Sequence, residues 1–317
     1  MRVCEDWFPK GCRAYQKKAG FEMDDNLARQ IETAVKNVIY DWDFTIIITG
    51  SGEVRVGKSV LALQIAIYWT WLMWKIHNIE VPFDIEKNIV FQWDKLIEQG
   101  NSLGKEYRFC ALQYDEAGET MEGTKTQSLE LKQVRDYLRE CGQYNFLNIM
   151  VMPEFFDLPK GIAMTRSIFL IDVSYIANQE GIFERGYFKF YSRKNKKMLY
   201  MKGKKELNYN AHQYNFSGKF PNFYPIDEQE YRDKKQEALK NRESNKDNKF
   251  LSERDALIYY LIKEQGLKHK EVRDIIYKYS NIYLSSTTVS EAYAKLIIRL
   301  QRIKEDYNNG VLEHLPL

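Results

Sequence analysis

The chain has 317 residues, 44% hydrophobic, 14% aromatic and 29% charged, with a net charge of +3 at neutral pH. That composition excludes a low-complexity or disordered protein, and the length admits two domains. A balance so near neutrality excludes a polybasic protein as a whole, so any nucleic-acid surface must be local.

The four cysteines (Cys4, Cys12, Cys110, Cys141) form no CxxC pair. Reduced thiols in a cytoplasmic protein are the expectation, with no metal site built on them. Met1 to Lys18 is polar and charged, so no leader peptide is expected.

Residues 1–40 read as an arm and a helix. The first 23 have no period, and Trp7, Phe8 and Pro9 point to an irregular packed arm. Asp24-Asp25-Asn26 caps a helix running to about Tyr40, with Leu27, Ile31, Ala34, Val35 and Val38 on one face.

A β-branched run, Thr45 to Thr49, then leads into Gly52-Glu53-Val54-Arg55-Val56-Gly57-Lys58-Ser59-Val60. Gly52 to Ser59 fits G-x-x-x-x-G-K-[ST], the phosphate-binding P-loop. Glycines let the backbone turn so that several N–H groups face one anion, and the following helix aims its positive end at it. Lys58 is expected to reach the outer phosphates of ATP, and Ser59 to ligate Mg²⁺. Arg55, inside the loop, fits either an added phosphate contact or a group facing a neighbouring subunit. Ser59 to Trp74 carries no charged residue. It is shorter than a bilayer span needs and starts at the P-loop lysine, so a buried core helix is expected.

Ile89 to Trp93 reads as a short strand, Asp94 onward as a helix, and Gly100 to Gly104 as a loop. The mostly apolar Arg108 to Tyr114 then ends in Asp115-Glu116, 57 residues after Lys58. A strand of this kind delivers Asp115 beside the P-loop as a second Mg²⁺ ligand, with Glu116 as the base that polarises water. Residues 117–144 read as mostly helical. Arg135 and Arg139 lie one turn apart, either as part of a solvated face or as groups reaching a neighbour's phosphate. Phe146–Met152 and Ser167–Asp172 are two more strands. Arg166, just before the second, is a further candidate for phosphate sensing.

Tyr187–Ser192 and Lys197–Lys202 read as a hairpin joined through Arg193 to Lys196. From Arg185 to Lys205 there are nine Lys/Arg, no Asp/Glu and five Tyr/Phe. Such a mixture suits a nucleic-acid backbone, with Arg193, Lys194, Lys196 and Lys197 as contacts. It equally suits an edge hairpin guarded by lysines. Residues 41–222 form the expected nucleotide domain, closed by the aromatic stretch Phe216 to Pro225. Residues 223–250 form a charged linker, helical or flexible.

Residues 251–317 read as helix, glycine turn, helix and a Ser/Thr-capped third helix, with Ala256, Leu257, Tyr260 and Leu261 apolar on the first. That is a helix-turn-helix layout in which Ser286, Thr287, Thr288, Lys295 and Arg299 would meet DNA. The same layout serves a protein-docking bundle, and a net charge of about +1 over the segment leaves the choice open.

The order P-loop strand, extra strand, strand ending Tyr114-Asp115-Glu116, then two more strands resembles the RecA-like NTPases that use a catalytic glutamate. Over residues 44–200 the chain is similar to the FtsK–HerA division, above all to zonular-occludens-toxin-like and viral DNA-packaging ATPases, through Gly52–Ser59, Tyr114–Glu116 and Arg139–Asn148. The resemblance implies an α/β core with a mainly parallel sheet flanked by helices, ATP and Mg²⁺, homo-oligomeric rings and work on DNA in a host cytoplasm. Two features depart from it. The usual polar sensor at the end of the fourth strand is replaced by Met150-Val151-Met152-Pro153, and the membrane span that follows the ATPase domain in filamentous-phage proteins is missing. The carboxy-terminal segment resembles sigma-factor region 4 through Gly266–Glu271 and Ser285–Ser290. A DNA motor, a nucleotide-switched regulator or loader, and an assembly scaffold with a residual nucleotide site are the three functions this pattern admits.

Overall fold

The computed structural model describes residues 2–4, 20–51, 53, 55–115, 117, 129–248, 253–280 and 283–308. The chain divides into two units, 1–238 and 239–317.

In the first unit, β1 (Arg2–Cys4) pairs antiparallel with β2 (Phe21–Met23). The rest of the expected arm lies outside the described residues. Helix α1 (Asp25–Val38) starts where Asp24 accepts hydrogen bonds from the Asn26 and Leu27 amides, as its cap sequence requires. It buries Leu27, Ala28, Ile31, Ala34, Val35 and Val38.

Strand β3 (Phe44–Thr49) is buried at all six positions, the mark of a central strand covered on both faces. It leads through the glycine-rich loop to α2 (Lys58–His77), in which every residue from Val60 to Met73 is buried. This helix has no polar face because it lies between α1 and the strands. Both of its interior polar side chains donate hydrogen bonds, while the buried Gln64 side-chain oxygen meets no donor among the described residues. Thr70 bonds back to the Ala66 carbonyl, and the Gln64 amide donates to the Pro221 and Phe223 carbonyls, both at 2.8 Å. Among the described residues, α2 is the one helix long and apolar enough to cross a membrane, and 78% of that window is buried inside the protein.

The short α3 (Ile85–Asn88) precedes β4 (Ile89–Val90), and α4 (Trp93–Glu106) follows. The loop expected at Gly100–Gly104 is helix instead. These glycines are sites of close approach: a Cβ on Gly100 would lie 2.0 Å from the Tyr137 hydroxyl, and one on Gly104 2.4 Å from the Tyr144 ring. Strand β5 (Ala111–Tyr114), α5 (Leu129–Glu140) and β6 (Leu147–Val151) come next. They are followed by the long β7 (Phe169–Ala177) and β8 (Phe183–Tyr191).

The basic hairpin is corrected by the structure. The partner of β8 is β7, and residues 197–202 belong to a helix, α6 (Arg193–Gly203), capped by Ser192. Lys196, Leu199, Tyr200 and Gly203 are its buried face, at the spacing of a helix. Strand β9 (Phe216–Lys219) closes the sheet.

The sheet order is β4-β5-β6-β3-β7-β8-β9, parallel from β4 to β7 and antiparallel beyond it. Strand β6 thus stands between the P-loop strand β3 and β5, which ends at Asp115. This is the α/β, RecA-like core, with one strand inserted between the two motif strands. Helix α7 (Glu228–Asn248) begins in this unit and buries Tyr231 against it, as the segment just before buries Ile226. Residues 223–238 are therefore part of the core rather than of a linker.

The second unit contains α8 (Glu253–Lys263), α9 (His269–Ser280) and α10 (Ser286–Asn308). They enclose a small core of Ile258, Val272, Ile276, Leu284, Val289 and Ala292. Of the apolar residues read on the first helix, Leu257 and Tyr260 are exposed, while Leu261 packs together with Ile258 and Ile262. Ser285 caps α10 by accepting from the Thr288 amide at 3.0 Å.

Candidate functional site

Parallel strands deliver their carboxyl ends to one edge, where β3, β5 and β6 stop at Thr49, Tyr114 and Val151. Binding crevices of open α/β sheets form at such an edge. Here a cleft of about 920 Å³ is lined by Arg55, Val56, Gly57, Lys58, Ser59 and Val60 from the loop and α2. Asp115, Val151 to Pro153, Arg185, Gly186, and Phe220 to Lys235 in part complete it.

Gly57 has φ +104°, a conformation that a side chain opposes, and a Cβ there would press on the Phe220 ring at 3.2 Å. Arg55 also lies in the left-handed region, at φ 60°, and its side chain is exposed at the cleft. Upstream, a Cβ on Gly50 would meet Val56 at 2.9 Å and the Lys58 ammonium at 3.0 Å. Gly50 is thus a loop glycine that the motif spacing does not include. The Lys58 ammonium hydrogen-bonds the Glu53 carbonyl, and the Ser51 hydroxyl donates to Asp172 at 2.8 Å. Burial pushes the Asp172 carboxyl up to about 6, against the opposing effects of Ser51 and Lys189. Gly52 and Val54 lie outside the described residues.

Asp115 is 1% exposed. Its amide donates to the Val90 carbonyl at 2.9 Å, and the Ala117 amide donates to that of Val151 at 2.9 Å. Those two bonds pin both neighbours of Glu116, which itself lies outside the described residues. The sequence did not announce the partners of Asp115. The Tyr231 hydroxyl donates to its Oδ2, and the Lys235 ammonium lies 3.7 Å from the same oxygen. Ser59 stands beside the same Tyr231 hydroxyl. Its phenol is held well above its usual range, by burial first and by Asp115 second. Its ring packs on Phe91 and Tyr224, at 5.8 and 5.9 Å between centroids. The wall carrying Phe220 and Tyr224 is anchored by Gln64 and by the Phe220 amide, which donates to the Gly186 carbonyl at 2.8 Å.

Ser59 and Asp115 offer a pair of hard oxygens in one cleft, on either side of the Tyr231 hydroxyl, which fits a small divalent cation. Among the described residues there is no cluster of three or more His, Cys, Asp or Glu side chains. Cys110 and Cys141 are buried free thiols, pushed up to about 12 and about 11 by burial.

The structure removes two candidates. Arg166 sits before β7, at the amino edge of the sheet, away from the loop. There it pairs with Asp43 and donates to the Leu138 carbonyl, so it is no phosphate sensor in its own subunit. Lys196 is fully buried, donating to the Ala163 and Ser167 carbonyls at 2.7 and 2.6 Å, and cannot meet DNA. Burial, aided by Arg193, lowers its amine to about 7. Arg193, Lys194 and Lys197 are exposed. Arg139 is exposed on α5 beside Asp136 (3.6 Å), with Arg135 half-buried one turn earlier. In the second unit Ser286 and Thr287 are exposed and Thr288 half-buried. The side chains of Lys295 and Arg299 lie outside the described set.

No protein-family model matches the chain, and no curated protein matches it. Among solved structures it is similar to the genome packaging NTPase B204 from Sulfolobus turreted icosahedral virus 2. In the complex with AMPPCP the identity is 14% and the TM-score 0.33, over 49% of this chain and 94% of that one. With ATP-gammaS the values are 14% and 0.34, over 49% and 94%. B204, the DNA-packaging ATPase from Sulfolobus Turreted Icosahedral Virus, gives 15% and 0.33, over 49% and 95%. The strand order and the placement of the two motif strands, not this distant likeness, define the fold.

Proposed function

We propose that the chain is an ATP-hydrolysing, DNA-associated motor of viral or mobile-element type. The observation that carries this reading is the meeting of Gly57, Lys58 and Ser59 with Asp115 in one cleft, across an inserted strand. In it, Lys58 and the loop amides hold the phosphates, and Ser59 and Asp115 are the Mg²⁺ ligands. Bound Mg²⁺ would offset phosphate charge. Glu116, next to Asp115, takes a proton from the attacking water. Arg135 or Arg139 serves across a subunit boundary in an oligomer. Arg193, Lys194, Lys197, Ser286, Thr287, Thr288, Lys295 and Arg299 are the proposed DNA contacts.

A DNA-dependent ATPase assay at low salt tests this, because phosphate contacts are strongest there. Turnover is expected to rise severalfold with DNA. Glu116→Gln is expected to lower it by about 10²–10⁴-fold with ATP binding kept, and Lys58→Ala to abolish binding. Turnover indifferent to DNA at low salt overturns the motor. The contact of Asp115 with α7 favours a second reading, a nucleotide-switched regulator. Slow turnover with an ATP-dependent change in oligomer size would select it.

A further inference from the structure

Asp115 carries a carboxylate almost wholly removed from water, a costly state unless its charge is met. A divalent cation at this place would do three things: contact Ser59, contact Asp115 and supply positive charge. In this structure two side chains of α7 divide that work. The Tyr231 hydroxyl donates to Asp115 with Ser59 beside it, and the Lys235 ammonium stands 3.7 Å from Asp115. Residues 231 and 235 are four apart, so one helix face presents both.

We infer that Tyr231 and Lys235 are metal-site residues of the cleft, which hold Ser59 and Asp115 in place of the cation and yield them when a Mg²⁺–nucleotide complex binds. This rests on the nucleotide reading above. Steric exclusion supplies the physical reason. Magnesium takes its oxygen ligands at about 2.0–2.1 Å in a strict octahedron, and the Tyr231 oxygen occupies the space between the two that it would need. The hydroxyl cannot swing aside alone. Tyr231 is 2% exposed and its ring is held between Phe91 and Tyr224. Displacing the oxygen therefore moves the ring, and with it the first turns of α7. Lys235, already in the cleft, is left beside the incoming phosphates as a second lysine after Lys58. The chain of α7 runs on past Ala238 into Leu239, where the second unit begins. Nucleotide state is thus read first by the segment that leads to residues 239–317.

Hydrogen exchange on the full chain tests the inference, with a non-hydrolysable ATP analogue as probe. Amides in 224–238 are expected to exchange at least about tenfold faster with analogue plus Mg²⁺ than with analogue plus EDTA. Tyr231→Phe removes a hydrogen bond to a charged group, an interaction whose typical strength corresponds to about tenfold or more in affinity. Analogue binding by that variant is expected to tighten about tenfold in Mg²⁺ and to stay within about twofold in EDTA. Exchange at 224–238 unchanged or slowed by the Mg²⁺ complex overturns the inference, as does a Tyr231→Phe affinity within twofold of wild type in Mg²⁺. If binding is still abolished by Lys58→Ala in either case, the nucleotide reading stands alone. Wild-type chain that binds no analogue overturns both.

Discussion

At each edge of the central sheet an acid with little solvent access meets a cation, and the two edges are built differently. At the amino edge Asp43 pairs with Arg166, whose Nε also donates to the Leu138 carbonyl. Beside it the buried Asn145 donates to Asp41 and to the Trp42 carbonyl and accepts from Arg108. Apart from the Leu138 carbonyl, on α5, every one of those groups sits in a segment leading into a strand. The pairing is therefore complete once the sheet forms. At the carboxyl edge Asp115 is paired by Tyr231 and Lys235, on a helix that no strand ordering requires. Equal chemistry thus serves two ends: one set of partners locks strand starts together, and the other is supplied by a segment able to depart while the sheet persists.

The largest effect that bears on this contrast is expected from Arg166→Ala. Breaking a buried ion pair by removing one member costs about 3–5 kcal/mol, and partial exposure of this pair places it at the low end. Chemical denaturation should show a loss of about 3 kcal/mol, with nucleotide affinity within about twofold of wild type. A selective loss of nucleotide binding would return Arg166 to the phosphate site and break the contrast.

Lys196→Met is next. It keeps the volume but leaves the Ala163 and Ser167 carbonyls without their donor. Stability should fall by about 1–2 kcal/mol, and DNA affinity, measured beside Lys194→Met and Lys197→Met, should not change. A drop in DNA affinity equal to theirs would contradict its burial.

The smallest effect concerns Asp172, which anchors Ser51 at the carboxyl edge. Its carboxyl titrates at about 6 in the fold, above its ordinary 3.8. The native state thus holds the proton more tightly than the unfolded chain. The stability this confers is complete below about pH 4 and is lost as pH rises through about 6. Asp172→Asn retains an acceptor for Ser51 without the charge. It should match wild type near pH 4 and exceed it at pH 7.5, where wild type must hold a buried charge. A variant whose stability parallels wild type from pH 4 to 7.5 would show that burial does not govern this group.

How much of this was legible in the sequence differs by element. Helix α1 was legible because its cap and apolar face are local in sequence. The α6 segment carried a helical signal too, at 196, 199, 200 and 203, but a lysine occupied one of its core positions and the basic run read as surface. Gly100 and Gly104 read as loop because the aromatic rings that need their missing Cβ atoms lie 37 and 40 residues away in sequence. The 223–238 stretch read as linker because its buried side chains, Ile226 and Tyr231, are few among charges.

Spacing and residue type alone determined the P-loop and the strand ending in Asp115, but not that β6, rather than the preceding β4, stands between them. Those follow from backbone rules that act over a few residues: turns that need glycine, strands that need β-branched residues, and one helix whose apolar run demands burial. Only the tertiary structure decided which cations face solvent and which are locked inside, and that a tyrosine 116 residues beyond Asp115 donates to it. A hydrogen bond between distant residues leaves no period and no motif in a single sequence, because its geometry exists only once both elements have packed.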